Sequence, residues 1–195
     1  MNPFRSGLVL TALLALVACG EEGWHGKSID GLMPELEFEL TAETGETVTE
    51  QVFEGRPVAM YFGFTHCPDI CPTTLARLVA AVRRLPEAQQ ERLQLAFISV
   101  DPERDGPQEL RDYTDAFSER MLGLTGTQKQ LKALTRRYRT TYGYEERRDD
   151  GSYEVSHSSA IFVFDAGLEP RLMLLDRLGV SEIAADLERL LEKSG

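Results

Sequence analysis

Eight residues, PVAMYFGF (57–64), form a near-continuous apolar run, and T-H-C-P-D-I-C follows at once. The next stretch, PTTLARLVAAVRRL (72–85), puts Leu75, Leu78, Val79 and Val82 on one helical face. A run this short and this apolar reads as a strand buried on both faces, which an antiparallel sheet open to water on one side does not need. Such a strand must be covered on two sides, and the amphipathic helix just after it can cover one. The chain is thereby confined to an α/β sheet, with two thiols, Cys67 and Cys71, at the junction of strand and helix.

The remaining segments agree. ELEFEL (35–40) and TVTEQVF (47–53) alternate apolar and polar around TAETGE, which predicts an N-terminal β-hairpin. LQLAFISV (93–100) is a second buried strand ending at DPERDGPQEL, where Asp105, Pro107 and Gln108 predict a capped helix running to about Ser118. MLGLTG is a short strand, and TQKQLKALTRRY is a helix with Leu131 and Leu134 facing inward. TYGYEERRDDGSYEVS predicts a second hairpin turning at Asp150-Gly151. SSAIFVFD and PRLMLLDR are two strands joined by AGLE, and SEIAADLERLLEK is a terminal amphipathic helix. The order is β-hairpin, βαβαβα, an inserted hairpin, then ββα, which implies a central, mostly parallel sheet. A dithiol after an early buried strand, together with a late ββα, points to a thioredoxin-like fold.

The third cysteine bears on the compartment. Arg5 precedes an apolar run from Leu8 to Val17 that ends in small residues, the layout of an export signal. That run is well short of the roughly twenty residues a spanning helix needs. Leu16-Val17-Ala18-Cys19 resembles the bacterial lipobox, in which the cysteine is lipidated and becomes the first mature residue. Acylation of Cys19 would remove an unpaired thiol and tether the domain to a membrane. The expected organisation is a lipoprotein signal peptide (1–18), a lipid-anchored tether (19–30) and one domain (31–195). The protein would then be exported and face the periplasm or the outer side of the cytoplasmic membrane. A formal net charge of −11 and the absence of a basic tract argue against nucleic-acid binding.

Three readings of Cys67 and Cys71 can be weighed. As a structural clip their disulfide would close a loop of about five residues, worth ~2 kcal/mol of loop entropy before strain. Structural bridges usually tie distant segments instead. Their place between the C-terminal end of a buried strand and a helix N-terminus favours reactive thiolates, so a redox couple and a metal site both fit. His157, in YEVSHSSAIFVFD, lies at the corner of a thioredoxin-like fold that faces the dithiol, where oxidoreductases carry a cis-proline. Two thiolates and an imidazole suit copper, with zinc also chemically possible. A strand-end histidine that merely caps a carbonyl is the plainer alternative for His157.

With these residues in view, the sequence resembles the Sco/SenC family of thioredoxin-like copper proteins that help assemble the copper site of cytochrome c oxidase. The resemblance rests on YFGFTHCPDICPTTL, ISVDPERDGPQEL and VSHSSAIFVFD, and it runs from about Gly31 to Leu191. It implies copper, as Cu(I) or Cu(II), held by Cys67, Cys71 and His157. It also implies a copper-binding oxidase subunit as partner, served by a thiol reductant or another copper carrier, and membrane tethering. Ser156 stands where many members carry an acidic residue. Asp69 reads as a helix-start carboxylate, His66 as aimed away by strand alternation, and Asp101 and Asp105 as turn and cap residues. The rival role is a membrane-tethered thiol:disulfide oxidoreductase in which Cys67 and Cys71 are a catalytic redox dithiol. A peroxidase would want a Thr or Ser and an Arg around one cysteine, a constellation not found here.

Overall fold

The computed structural model describes residues 23–193. Its strands are β1 (Lys27–Ser28), β2 (Glu39–Ala42), β3 (Thr47–Thr49), β4 (Val58–Gly63), β5 (Gln94–Ser99), β6 (Met121–Thr125), β7 (Tyr142–Tyr144), β8 (Val155–His157), β9 (Ile161–Phe164) and β10 (Pro170–Leu174). Its α-helices are α1 (Ile70–Val82), α2 (Glu87–Arg92), α3 (Pro107–Asp115), α4 (Gln128–Arg137) and α5 (Val180–Lys193). Eight strands form one sheet in the order β1-β10-β9-β4-β5-β6-β2-β3, and β7 and β8 form a separate two-stranded ribbon. The β4, β5 and β6 strands are parallel, while every pairing on the flanks is antiparallel: β4 with β9 and β9 with β10 on one side, β6 with β2 and β2 with β3 on the other.

All six residues of β4 are buried, as the apolar run requires. Met60, Phe62, Phe97, Ile98, Phe162 and Phe164 fill the centre of the core. Burying each such side chain is worth ~1.5–3 kcal/mol. The α1 and α5 helices pack on each other, and α3 lies against β6. In α4, Thr127 and Gln130 form a reciprocal capping box, with Leu131 and Leu134 buried as predicted. The ribbon turns through Gly151, whose φ of +81° suits glycine.

Several boundaries differ from expectation. The second arm of the N-terminal hairpin ends at Thr49, and residues 50–53 form a 3-10 turn that buries Phe53. The α1 helix starts at Ile70 rather than Pro72, because a proline in the first turn lacks only an N–H that would go unpaired there. Cys71 is therefore a helical residue. Gly106 takes the N-cap position of α3 with no side-chain cap, so Asp105 is not a cap. Residues 25–29, expected in a free tether, are docked on the domain. Strand β1 pairs with β10, Ile29 is buried, and the backbone N–H groups of His25 and Gly26 donate to the buried Asp186 carboxylate at 3.0 and 2.7 Å. Cys19 lies outside the described residues. No helix among the described residues is long and apolar enough to cross a membrane.

Candidate metal centre

Cys67 follows β4 through a tight turn in which its N–H donates to the Phe64 carbonyl at 3.2 Å. Cys71 sits in the first turn of α1, where helical N–H groups have no intrahelical acceptor. One of them, the Cys71 N–H, donates to Cys67 Sγ at 3.3 Å. Cys71 is fully buried (0 % exposed) and Cys67 nearly so (8 %), which makes Cys67 the more approachable sulfur. Both are free thiols. The approach of α1 to β4 depends on Gly63, since a Cβ there would lie 2.7 Å from Cys71 Sγ and 2.8 Å from Phe97 Cε2.

His157 is the last residue of β8 and comes to the cysteines from the ribbon, not from the main sheet. Its Nε2 lies 3.1 Å from Cys71 Sγ, and its Nδ1 lies 3.0 Å from the Ser158 carbonyl oxygen. A carbonyl only accepts, so Nδ1 carries the proton and the Nε2 lone pair faces the sulfur. This supplies the partner that a metal-bound imidazole needs on its other nitrogen. The rings of Tyr61 and Phe64 meet the imidazole edge-on at 5.9 and 5.7 Å. Burial lowers the His157 pKa and keeps the ring neutral near pH 7, although the Ser158 and Phe62 carbonyls act in the opposite sense. Burial also pushes the Cys71 thiol well above its ordinary range, and charge on Cys67 pushes it the same way. A metal taken up here must therefore displace a proton.

Cys67, Cys71 and His157 each offer one ligand atom, all within 4.8 Å of one another. Two sulfurs and one nitrogen converging without a carboxylate are a donor set that fits a soft or borderline metal. The other candidates stay outside. The exposed His66 turns its Nδ1 to Thr65 Oγ1 at 3.0 Å. Asp69, also exposed, occupies the N-cap position of α1 without a side-chain cap, and its carboxylate accepts from Thr73 Oγ1. Ser156 Oγ donates to the Gly143 carbonyl.

Sequence reasoning missed the groups that hold this centre. The hydroxyl of buried Tyr61, kept protonated by burial, donates to Cys71 Sγ at 3.7 Å. Asp105, fully buried, accepts from the Thr65 N–H at 2.8 Å, Thr65 Oγ1 at 2.7 Å and Ser99 Oγ at 2.5 Å. It thus pins the residue two before Cys67. Asp101, also fully buried, accepts from Tyr153 Oη at 2.7 Å and Arg104 Nε at 2.5 Å. The available signal was the cluster of charges in DPERD directly after a buried strand, where a solvated turn needs none.

Fold and centre together define a thioredoxin-like domain whose dithiol is completed by an imidazole from an inserted ribbon. The SCO1/SenC family model matches residues 31–192. The mouse protein "SCO2 homolog, mitochondrial" is 40 % identical over 152 residues, covering 77 % of this chain and 58 % of that one. Among solved structures, apo Sco1 from Thermus thermophilus superposes with a TM-score of 0.77 at 34 % identity, over 88 % of this chain and 99 % of that chain. Copper-bound ScoI from Arabidopsis thaliana gives 0.74 at 32 % identity, over 82 % and 98 %. The chain belongs to the SCO1/SenC family. It spans about half the length of the curated relatives it matches.

Proposed function

We propose that this protein is a copper metallochaperone that delivers copper to, or prepares, the binuclear copper site of cytochrome c oxidase. The observation that carries the reading is the convergence of Cys67 Sγ, Cys71 Sγ and His157 Nε2 within 4.8 Å, with the Nε2 lone pair directed inward. Membership of a family with a copper-bound structure among its relatives supports it. Copper is cargo in this reading. Cu(I) would be held by the two thiolates and the imidazole, an open set from which an acceptor's thiolates can displace the ligands one at a time. Cys19 would be the lipid anchor of an exported protein, with residues 1–18 removed, and the oxidase subunit that binds copper would be the acceptor.

The proximity of the two thiols also favours a second reading as a thiol:disulfide oxidoreductase. Cys67, the more exposed sulfur, would attack a disulfide in the partner, and Cys71 would then attack Cys67 in the mixed disulfide. The partner would leave as a dithiol, while Cys67 and Cys71 lose two electrons and form their own disulfide. Copper titration of the reduced full chain, with chelator competition, separates the two for wild type and His157→Ala. One tightly held copper per chain, weakened at least about tenfold in the variant, is expected of the chaperone. Copper binding indifferent to His157 would leave the reductase.

A further inference from the structure

The end of β5 and the loop after it, residues 99–105, grip both halves of the centre. At one end Asp105 and Ser99 fix Thr65, and so the segment leading to Cys67. At the other, Asp101 and Arg104 fix Tyr153, two residues before β8 begins. The Arg104 guanidinium carbon sits over the Tyr153 ring, 3.9 Å from its centroid, and its Nη1 donates to the Tyr153 carbonyl at 3.2 Å. Its carbon also lies 5.5 Å from the Phe64 ring, whose edge-on neighbour is His157. Asp101 closes the clamp by accepting from both Arg104 Nε and Tyr153 Oη. A second grip, from Tyr144 Oη to the Val100 carbonyl, comes from the same loop.

This matters because the ribbon has no strand partner in the main sheet. Cys67 is fixed by the turn that leaves β4 and Cys71 by helix α1, both packed on the main sheet, whereas the ribbon that carries the third ligand is held largely by side chains from elsewhere. We propose that Arg104 is a positioning residue that clamps the ribbon through Tyr153, keeps His157 at Cys71, and thereby sets how readily copper leaves. The inference rests on the copper reading above for its consequence but not for the clamp itself. A planar guanidinium suits the task, since one group stacks on the ring while its fork reaches a carboxylate and a carbonyl.

The test uses the full chain as wild type, Arg104→Ala, His157→Ala and the double variant, each loaded with one Cu(II) and challenged with excess chelator. Arg104→Ala is expected to speed copper loss by about tenfold and to weaken thiolate-to-copper charge transfer. In the His157→Ala background it should change nothing beyond about twofold, because its effect passes through the imidazole. Equal acceleration in both backgrounds, or none in either, overturns the proposal. Amide hydrogen exchange of the metal-free protein decides the clamp independently of copper. Residues 142–157 should exchange faster in Arg104→Ala while β4 and β5 do not, and an unchanged ribbon overturns it. If His157→Ala retains copper as wild type does, the copper reading fails, and hydrogen exchange still decides the clamp. Should Arg104→Ala misfold, Tyr153→Phe removes only the hydroxyl bonded to Asp101, and its ribbon should exchange faster too, by a smaller factor; no change there is again negative.

Discussion

The space around Cys71 Sγ is set by one missing methyl group. Gly63 ends β4 with ordinary backbone angles, so its glycine is required for clearance and not for conformation. An added Cβ would fall inside contact distance of a sulfur and of the buried Phe97 ring, neither of which can swing away as a flexible tip could. Gly63→Ala should therefore cost about 1–3 kcal/mol in chemical denaturation, the usual range for overpacking. It should also displace Cys71 and weaken copper binding. Retention of full affinity would mean that α1 can retreat from the sheet without moving its ligand. The convergence of Cys67, Cys71 and His157 was legible, because two thiols at a strand–helix junction are a local signal and the expected fold puts His157 at the facing corner. The clearance that glycine provides was not, since it depends on a ring that arrives from β5.

Elements carrying their own hydrophobic pattern were equally legible. The β4, β5 and β9 strands are apolar runs, and α5 is amphipathic with Ile183, Leu187, Leu190 and Leu191 buried. Two elements have no such pattern. The α2 helix is six residues with none buried, and β1 is a Lys-Ser pair with both residues exposed. What creates β1 is remote, namely the open edge of β10 and the carboxylate of Asp186. That carboxylate, fully buried on α5, accepts the N–H groups of residues 25 and 26. Asp186→Ala should cost about 1.5–3 kcal/mol, the contribution of hydrogen bonds to a charged group. Trp24, the chain's single tryptophan, is held by the cations of Arg189 and Lys193 at 5.3 and 5.0 Å. Its fluorescence in Asp186→Ala should report release of this segment before the sheet unfolds in denaturant. Coincident transitions would show that β1 is instead part of the cooperative core.

At the scale of the molecule, the centre is assembled from parts that the topology keeps separate. DPERD does turn, its Asp101 carbonyl accepting the Arg104 and Asp105 N–H groups, but Asp105 is not a cap and local roles miss what the two carboxylates do. Asp105 finds its partner at Thr65 and Asp101 finds Tyr153, 40 and 52 residues away, and nothing local marks those encounters. The same separation makes metal loading a mechanical event. An ion bound to Cys67, Cys71 and His157 would join the ribbon to the sheet, adding a bond across a seam also held by the Arg104 clamp, by Tyr144 on Val100, by Arg147 on Glu103 and by Tyr142 and Tyr144 on Gln128. The exposed loop of the ribbon carries Arg147 and Arg148, where trypsin can cut once their ion pairs with Glu103 and Glu154 open. A protease needs the segment extended and loosened, so cleavage tracks the population of the open ribbon when opening is fast. Copper loading should slow tryptic cleavage after Arg147 and Arg148 several-fold in wild type, as ligands of the closed state do. In His157→Ala, where metal can bind only the sheet side, loading should leave the rate unchanged. Equal protection in both proteins would mean that copper acts on the loop by a route other than the imidazole, and the seam would then not be the moving part.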